Sequence, residues 1–127
     1  MKLLLDTHIL LWALSEPSRL SAPARSLIAD NTNQLNFSVA TIWETAIKSA
    51  RHSSFHINAS VLRKTLLANQ YSEIKIESDH AITAAQLPLI HKDPFDRILI
   101  AQAIVERALL VTADRQLSRY PAQVRII

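Results

Sequence analysis

The feature that most constrains this chain is a short apolar run that stops on a carboxylate: Lys2-Leu3-Leu4-Leu5 enters Asp6-Thr7-His8. Such a run, unbroken by polar residues and bounded by a turn signal, reads as the core strand of a parallel sheet. A helical pattern from Thr7 to Leu14 follows at once, so the strand hands directly to a helix. In open α/β sheets chemistry gathers just beyond the carboxyl ends of the strands. Asp6 stands on that rim. A simpler role is open to it, because Asp caps helices well, for about 1 kcal/mol. What decides between the two is whether other acids arrive at the same rim.

The rest of the chain repeats the hand-over. A second helix starts at Ser21-Ala22-Pro23, with Ser21 as cap, and ends near Asp30-Asn31. Leu35 to Val39 is a second strand. Ala40 to Ala50 is a helix whose apolar residues at 42, 43, 46, 47 and 50 predict a buried stripe. Arg51 to Asn58 reads as a basic, solvated loop, with an RNA-facing patch as the sharper alternative. Helices over Ala59 to Asn69 and Ser78 to Leu87 flank a short strand at Ile74 to Ile76. Glu73, Glu77 and Asp79 fall at element ends, where capping and dipole effects explain them. A helix opened by Asp93-Pro94 runs to about Arg107, strand Leu109 to Thr112 follows, and Val124 to Ile127 is a last, edge strand. This alternation predicts an α/β fold, a three-layer α/β/α sandwich with a mainly parallel central sheet, in one domain over residues 1–127.

Several function classes are excluded by letters the chain lacks. With no glycine it cannot write a P-loop or a dinucleotide fingerprint, and with no cysteine it has neither disulfides nor a thiolate zinc site. A cysteine-free chain suits a reducing cytoplasm, the expected location. Asp6 and His8 interrupt the apolar N-terminus before a signal-peptide core can form, and the longest apolar run there, Ile9 to Leu14, is far below a membrane span. A soluble protein with no membrane partner is expected.

The acids then fall into place. Asp6 and Asp114 each follow a strand, and Glu44 and Asp96 each lie in the first two turns of a helix. In a parallel sheet all four can face one cleft. Each has a bland alternative: Glu44 can pair with Lys48 at i+4 for a few tenths of a kcal/mol. Asp93 and Asp96 suit the N-cap and N3 positions of their helix. Clustered carboxylates without a cation repel and drive protonation. Oxygen ligands without thiolate suit Mg²⁺ or Mn²⁺, and such an ion activates water and neutralises charge on a phosphate. Metal-assisted phosphodiester hydrolysis is the chemistry this pattern predicts. Setting those four acids aside leaves 14 basic residues against seven acidic ones, a surface suited to a polyanion.

At this point the residues resemble a family. Leu4-Leu5-Asp6-Thr7-His8, Ser38 with Trp43-Glu44 and Lys48, His91-Lys92-Asp93-Pro94-Phe95-Asp96-Arg97 with Ala101-Gln102-Ala103, and Thr112-Ala113-Asp114 stand in an order similar to that of PIN domains, VapC-type toxins in particular. The resemblance implies an Mg²⁺- or Mn²⁺-dependent endoribonuclease of a type II toxin–antitoxin system, usually dimeric and restrained by a small antitoxin. It implies Asp6, Glu44, Asp96 and Asp114 as catalytic metal ligands, supported by Thr7, Asp93 and Thr112. Similar proteins often carry glycine where this chain has Arg51-His52 and Arg107-Ala108, a departure that bears on loop shape.

Two other readings arise. One is the same fold as a catalytically inactive module that binds RNA or protein. The other, a haloacid dehalogenase-type phosphohydrolase, is discounted, because that chemistry typically wants a second Asp two residues after the first, where this chain has His8. Helices between residues 7 and 70 carry more apolar surface than one sheet face covers, which predicts a homodimer with a groove left for an antitoxin segment.

Overall fold

The computed structural model describes residues 1–51 and 56–127. The chain order is β1 (Lys2–Leu5), α1 (Thr7–Ser15), α2 (Ala22–Ala29), β2 (Gln34–Ser38), α3 (Val39–Arg51), α4 (Ala59–Ala68), β3 (Ser72–Ile74), α5 (Ser78–Gln86), α6 (Pro94–Glu106), β4 (Leu109–Thr112) and β5 (Val124–Ile126). Short 3₁₀ turns at Pro17–Arg19 and Arg115–Arg119 complete it. The strands form one parallel sheet in the order β3-β2-β1-β4-β5, with β1 at its centre. Leu3 lies opposite both Leu35 and Leu109, and Leu4 opposite Leu110. β5 is an edge, as its position at the chain end predicts. Among the described residues no helix is long and apolar enough to cross a membrane.

Strand periodicity divides the leucines of β1 between two cores. Leu3 and Leu5 pack on one face with Ile9 and Leu10 of α1, Ala24 of α2, and Leu62 and Leu66 of α4. Leu4 faces the other way, into Leu99, Ile100 and Ala103 of α6, with Leu87 just past α5. β1 is buried on both sides, which is why it tolerates no polar residue between Leu3 and Leu5. The result is a three-layer α/β/α sandwich.

Two sequence expectations need correction. The apolar stripe of α3 is not its buried face. Trp43 is 59% exposed, and Ala46 and Ala50 are also exposed, while Thr41, Glu44 and Thr45 are buried. The polar side of α3 can turn inward because hydrogen bonds compensate it, Thr41 and Glu44 both meeting Thr7. β3 lies two residues earlier than Ile74 to Ile76, because Ser72–Ile74 is the stretch that pairs with Asn36–Ser38. Ile76 beyond it is exposed. Of the expected loop at 51–58, Arg51 ends α3 and residues 56–58 have no regular structure. The remainder of that loop lies outside the described residues.

Candidate active site

β1, α3, α6 and β4 converge at the carboxyl edge of the sheet on a cleft of about 380 Å³. Asp6, Glu44, Asp93, Asp96 and Asp114 all line it, with His8, Trp12 and Lys48. Asp6 sits at the N-cap position of α1, but among the described residues its side chain makes no capping hydrogen bond. Its Oδ2 instead accepts a 2.6 Å hydrogen bond from Thr112 Oγ1, and its backbone N–H donates to Val111 O at 3.0 Å. The capping alternative therefore does not describe Asp6. The carboxylate is 7% exposed, and burial raises its pKa above the ordinary value, against the lowering effect of Thr112.

Glu44 keeps both of its readings. Its Oε2 pairs with Lys48 Nζ at 2.9 Å, the i+4 bridge expected from spacing. Its Oε1 accepts from Thr7 Oγ1 at 2.8 Å, and the residue is only 6% exposed. This is a carboxylate held at an interior wall, unlike an ordinary surface pair. Burial works against the Lys48 charge, but its hydrogen bond to Glu44 and the fields of Glu44, Asp93 and Asp96 prevail and raise its pKa.

Asp93 caps α6 through Phe95 N–H at 2.9 Å, and Pro94 takes the first helical position. That cap aims the first turn of α6, with Asp96, into the cleft. Asp96 is pushed up to about 7, chiefly by burial, then by the negative charges of Asp6 and Asp93, with His91 opposing. Asp114 accepts from Gln116 N–H at 2.9 Å, and its own N–H donates to Thr112 Oγ1 at 3.1 Å. Thr112 thus links two acids through one hydroxyl.

The tightest group joins two acids expected from the sequence, Asp96 and Asp114, to a residue that was given no role there, His91. His91, Asp96 and Asp114 present ligand atoms all within 4.8 Å of one another, while Asp6 and Glu44 lie outside this group on the same cleft. His91 Nε2 is 3.2 Å from Asp114 Oδ2 and 3.3 Å from Asp96 Oδ2. The available signal was its place two residues before the helix cap, in His91-Lys92-Asp93. On the rim, Trp12 lies tilted at 48° to His8, with 6.1 Å between ring centroids, and carries the Arg19 guanidinium over its ring at 4.7 Å.

Known proteins are similar to this chain in sequence and in fold. The chain matches the PIN domain over residues 3–123. It is 34% identical to Ribonuclease VapC22 of Mycobacterium tuberculosis, a similarity covering 97% of this chain and 96% of that protein. Its fold is similar to that in VapBC2 from Rickettsia felis, solved with a promoter DNA fragment, at a TM-score of 0.74 and 22% identity over 99% of this chain and 98% of that one. DNA-bound VapBC from Salmonella typhimurium gives 0.70 at 17% identity, over 100% and 97% of the two chains. At such identities the solved structures speak for the fold alone. The match across nearly the whole length means that this chain belongs to the PIN domain family, within its VapC group.

Proposed function

We propose that this chain is an Mg²⁺- or Mn²⁺-dependent endoribonuclease that hydrolyses RNA phosphodiester bonds as the toxin of a type II toxin–antitoxin pair. The observation that carries this reading is the convergence of Asp6, Glu44, Asp96 and Asp114 on one cleft in a chain 34% identical to a VapC ribonuclease. The donor set fits a hard divalent ion: carboxylate oxygens, no thiolate, and an Asp96 raised to about 7 by burial first and then by the charges of Asp6, Asp93 and Glu44. Those four acids are the residues that would hold it. When bound, such an ion lowers the pKa of water and neutralises charge at a phosphate.

The chain's own residues prepare that site. Thr112 orients Asp6, Thr7 and Lys48 fix Glu44, and the Asp93 cap directs the start of α6. Trp12 and His8 offer aromatic faces beside the acids, where an unstacked RNA base can rest. The net basic remainder of the chain favours approach of a polyanion. Residues 1–127 act as one nuclease domain, and the cysteine-free composition suits work in the cytoplasm.

Partner surfaces follow from the two apolar grooves. Trp43, Ile76, Ala84, Phe95 and Ile98 line one between α3, α5 and α6, with Trp43 packed edge-on to Phe95 at 5.3 Å. This groove supports a homodimer, since an exposed tryptophan beside an apolar furrow is left without cover in a monomer. Leu11, Leu14, Ile57, Val61 and Leu62 line the other, between α1 and α4, and it supports the docking of an antitoxin segment. The deciding experiment offers the purified chain RNA and a small phosphate ester, each with Mg²⁺, Mn²⁺ or chelator. Cleavage of RNA alone, abolished by chelator, is expected; ester turnover without RNA cleavage refutes the reading.

A further inference from the structure

His91 lies among the acids in the geometry of a ligand, yet its wiring is that of a donor. The N–H of Asp93 donates to His91 Nδ1 at 3.1 Å. An imidazole nitrogen that accepts a hydrogen bond bears no hydrogen, so the ring hydrogen is on Nε2. That is the nitrogen facing Asp114 Oδ2 at 3.2 Å and Asp96 Oδ2 at 3.3 Å. A histidine that binds metal normally donates its other N–H to an acceptor, which frees the ligating nitrogen's lone pair. Here the other nitrogen faces a donor instead. To ligate through Nε2, the ring would have to abandon the Asp93 amide and exchange its tautomer.

The mount of this histidine is firm. Its backbone N–H donates to Tyr120 Oη at 2.7 Å, and Tyr120 is buried. Arg97 reaches the same hydroxyl at 3.4 Å and also binds the carbonyls of Pro88, Ala84 and Leu87. The side chain is nonetheless partly exposed, at 21%, and sits between α5 and α6 outside any helix. Its backbone is anchored while part of its ring reaches solvent.

We propose that His91 is a positioning residue that stands in for the cation, its Nε2–H bonded to Asp114 and 3.3 Å from Asp96, keeping the two acids side by side until a divalent ion replaces it. This rests on the metal-dependent reading of the site. A cation held by Asp96 and Asp114 would need the carboxylate oxygens that His91 Nε2 now faces at 3.3 and 3.2 Å. His91 and the ion therefore compete, and the acids stay gathered in the metal-free protein without His91 contributing a ligand.

A ligand and a stand-in give opposite signs. Mn²⁺ affinity is measured by calorimetry for wild type and His91→Phe, which keeps a ring but no nitrogen. The stand-in predicts tighter Mn²⁺ binding in the variant, by up to roughly tenfold, the equivalent of about one charge-assisted hydrogen bond, together with a lower metal-free melting temperature. Equal or weaker Mn²⁺ binding in the variant overturns the proposal and leaves the nuclease reading standing. Should the variant fail to fold, ¹⁵N spectra of wild type titrated with Mg²⁺ decide. The Nε2 hydrogen is expected to persist at saturation, whereas its loss, with a hydrogen gained at Nδ1, refutes the stand-in. A wild type that binds neither Mg²⁺ nor Mn²⁺ would instead sink the nuclease reading, and the stand-in with it.

Discussion

Two histidines at opposite edges of the sheet are wired alike and differ in what they face. At the amino edge, His80 accepts the Glu77 N–H on Nδ1 at 3.0 Å and turns Nε2 to Glu106 Oε2 at 2.9 Å. At the carboxyl edge, His91 accepts the Asp93 N–H on Nδ1 and turns Nε2 to Asp114 and Asp96. His80 is 1% exposed and serves one carboxylate, which Lys2 also approaches at 3.4 Å. His91 serves two, with Asp6 and Asp93 adding their charge to Asp96. The consequences have opposite signs. Glu106 is held below the ordinary carboxylate range, chiefly by the His80 hydrogen bond, while Asp96 is driven up to about 7. A histidine–acid pair is thus no mark of function by itself. Burial of the acid, and then the balance of charge around it, is what separates a structural pair from a site that calls for a cation.

The largest expected difference between the edges is catalytic. Asp96→Asn should reduce RNA cleavage by about a hundredfold or more, since loss even of groups that merely support metal ligands costs 10–100-fold. In chelator its thermal stability should hold or rise, because repulsion among the remaining acids is relieved. A mutant that is less stable and still cuts at the wild-type rate would make Asp96 a helix-dipole residue only. His80→Ala should do the reverse. A buried ring and its two hydrogen bonds are lost for about 2–4 kcal/mol in denaturant unfolding, with cleavage by the folded fraction unchanged.

The pH profiles separate the edges again. Asp96 has an ordinary value of 3.8 and a folded value of about 7. Between these the native state binds more protons than the unfolded chain, so metal-free stability should fall as pH rises from about 4 to 7. The loss should be on the order of 1–3 kcal/mol, and saturating Mg²⁺ or Mn²⁺ should remove it. Burial shifts Asp6 in the same direction. Glu106, shifted downward, contributes stability above the usual carboxylate range that is lost as pH falls through its folded value. Asp96→Asn should flatten only the limb between 4 and 7, and Glu106→Gln only the acid limb. Identical profiles for both mutants would erase the distinction.

The smallest effect concerns Arg107. It ends α6 with φ 54° and ψ 45°, a left-handed conformation that a non-glycine residue adopts at a cost of roughly 1–2 kcal/mol. Glycine removes that cost but adds unfolded-state entropy. Arg107→Gly should therefore raise stability by a few tenths to about 1 kcal/mol without changing cleavage. A loss of stability would show that the arginine side chain contributes more than its backbone costs.

Much of the fold was legible because its signals are local. A strand buried on both faces must be apolar at every residue, which Leu3-Leu4-Leu5 states directly. Asp93-Pro94 announces a helix start through capping and a fixed φ, and the observed cap is that one. The α3 stripe misled because periodicity reports which residues share a face, never what that face meets. Thr7 and Lys48 satisfy Glu44 inside the molecule, so the polar side could turn inward and leave Trp43 at the surface. β3 slipped for a related reason. Its isoleucines marked an apolar stretch, while its extent was set by pairing with Asn36–Ser38 on another strand.

By itself, then, the sequence determined the strand–helix alternation and which acids end its strands, because each depends on neighbours within a few residues, and the alternation in turn implied a parallel sheet. Only the tertiary structure decided that Asp6 binds Thr112, 106 positions away, rather than capping its own helix. It also decided that His91 reaches across 23 positions to Asp114, and that His80 finds Glu106 on the far edge. Those pairings depend on sheet order and helix docking, which bring together residues that no local pattern connects, and the charge balance of the cleft exists only once they have met.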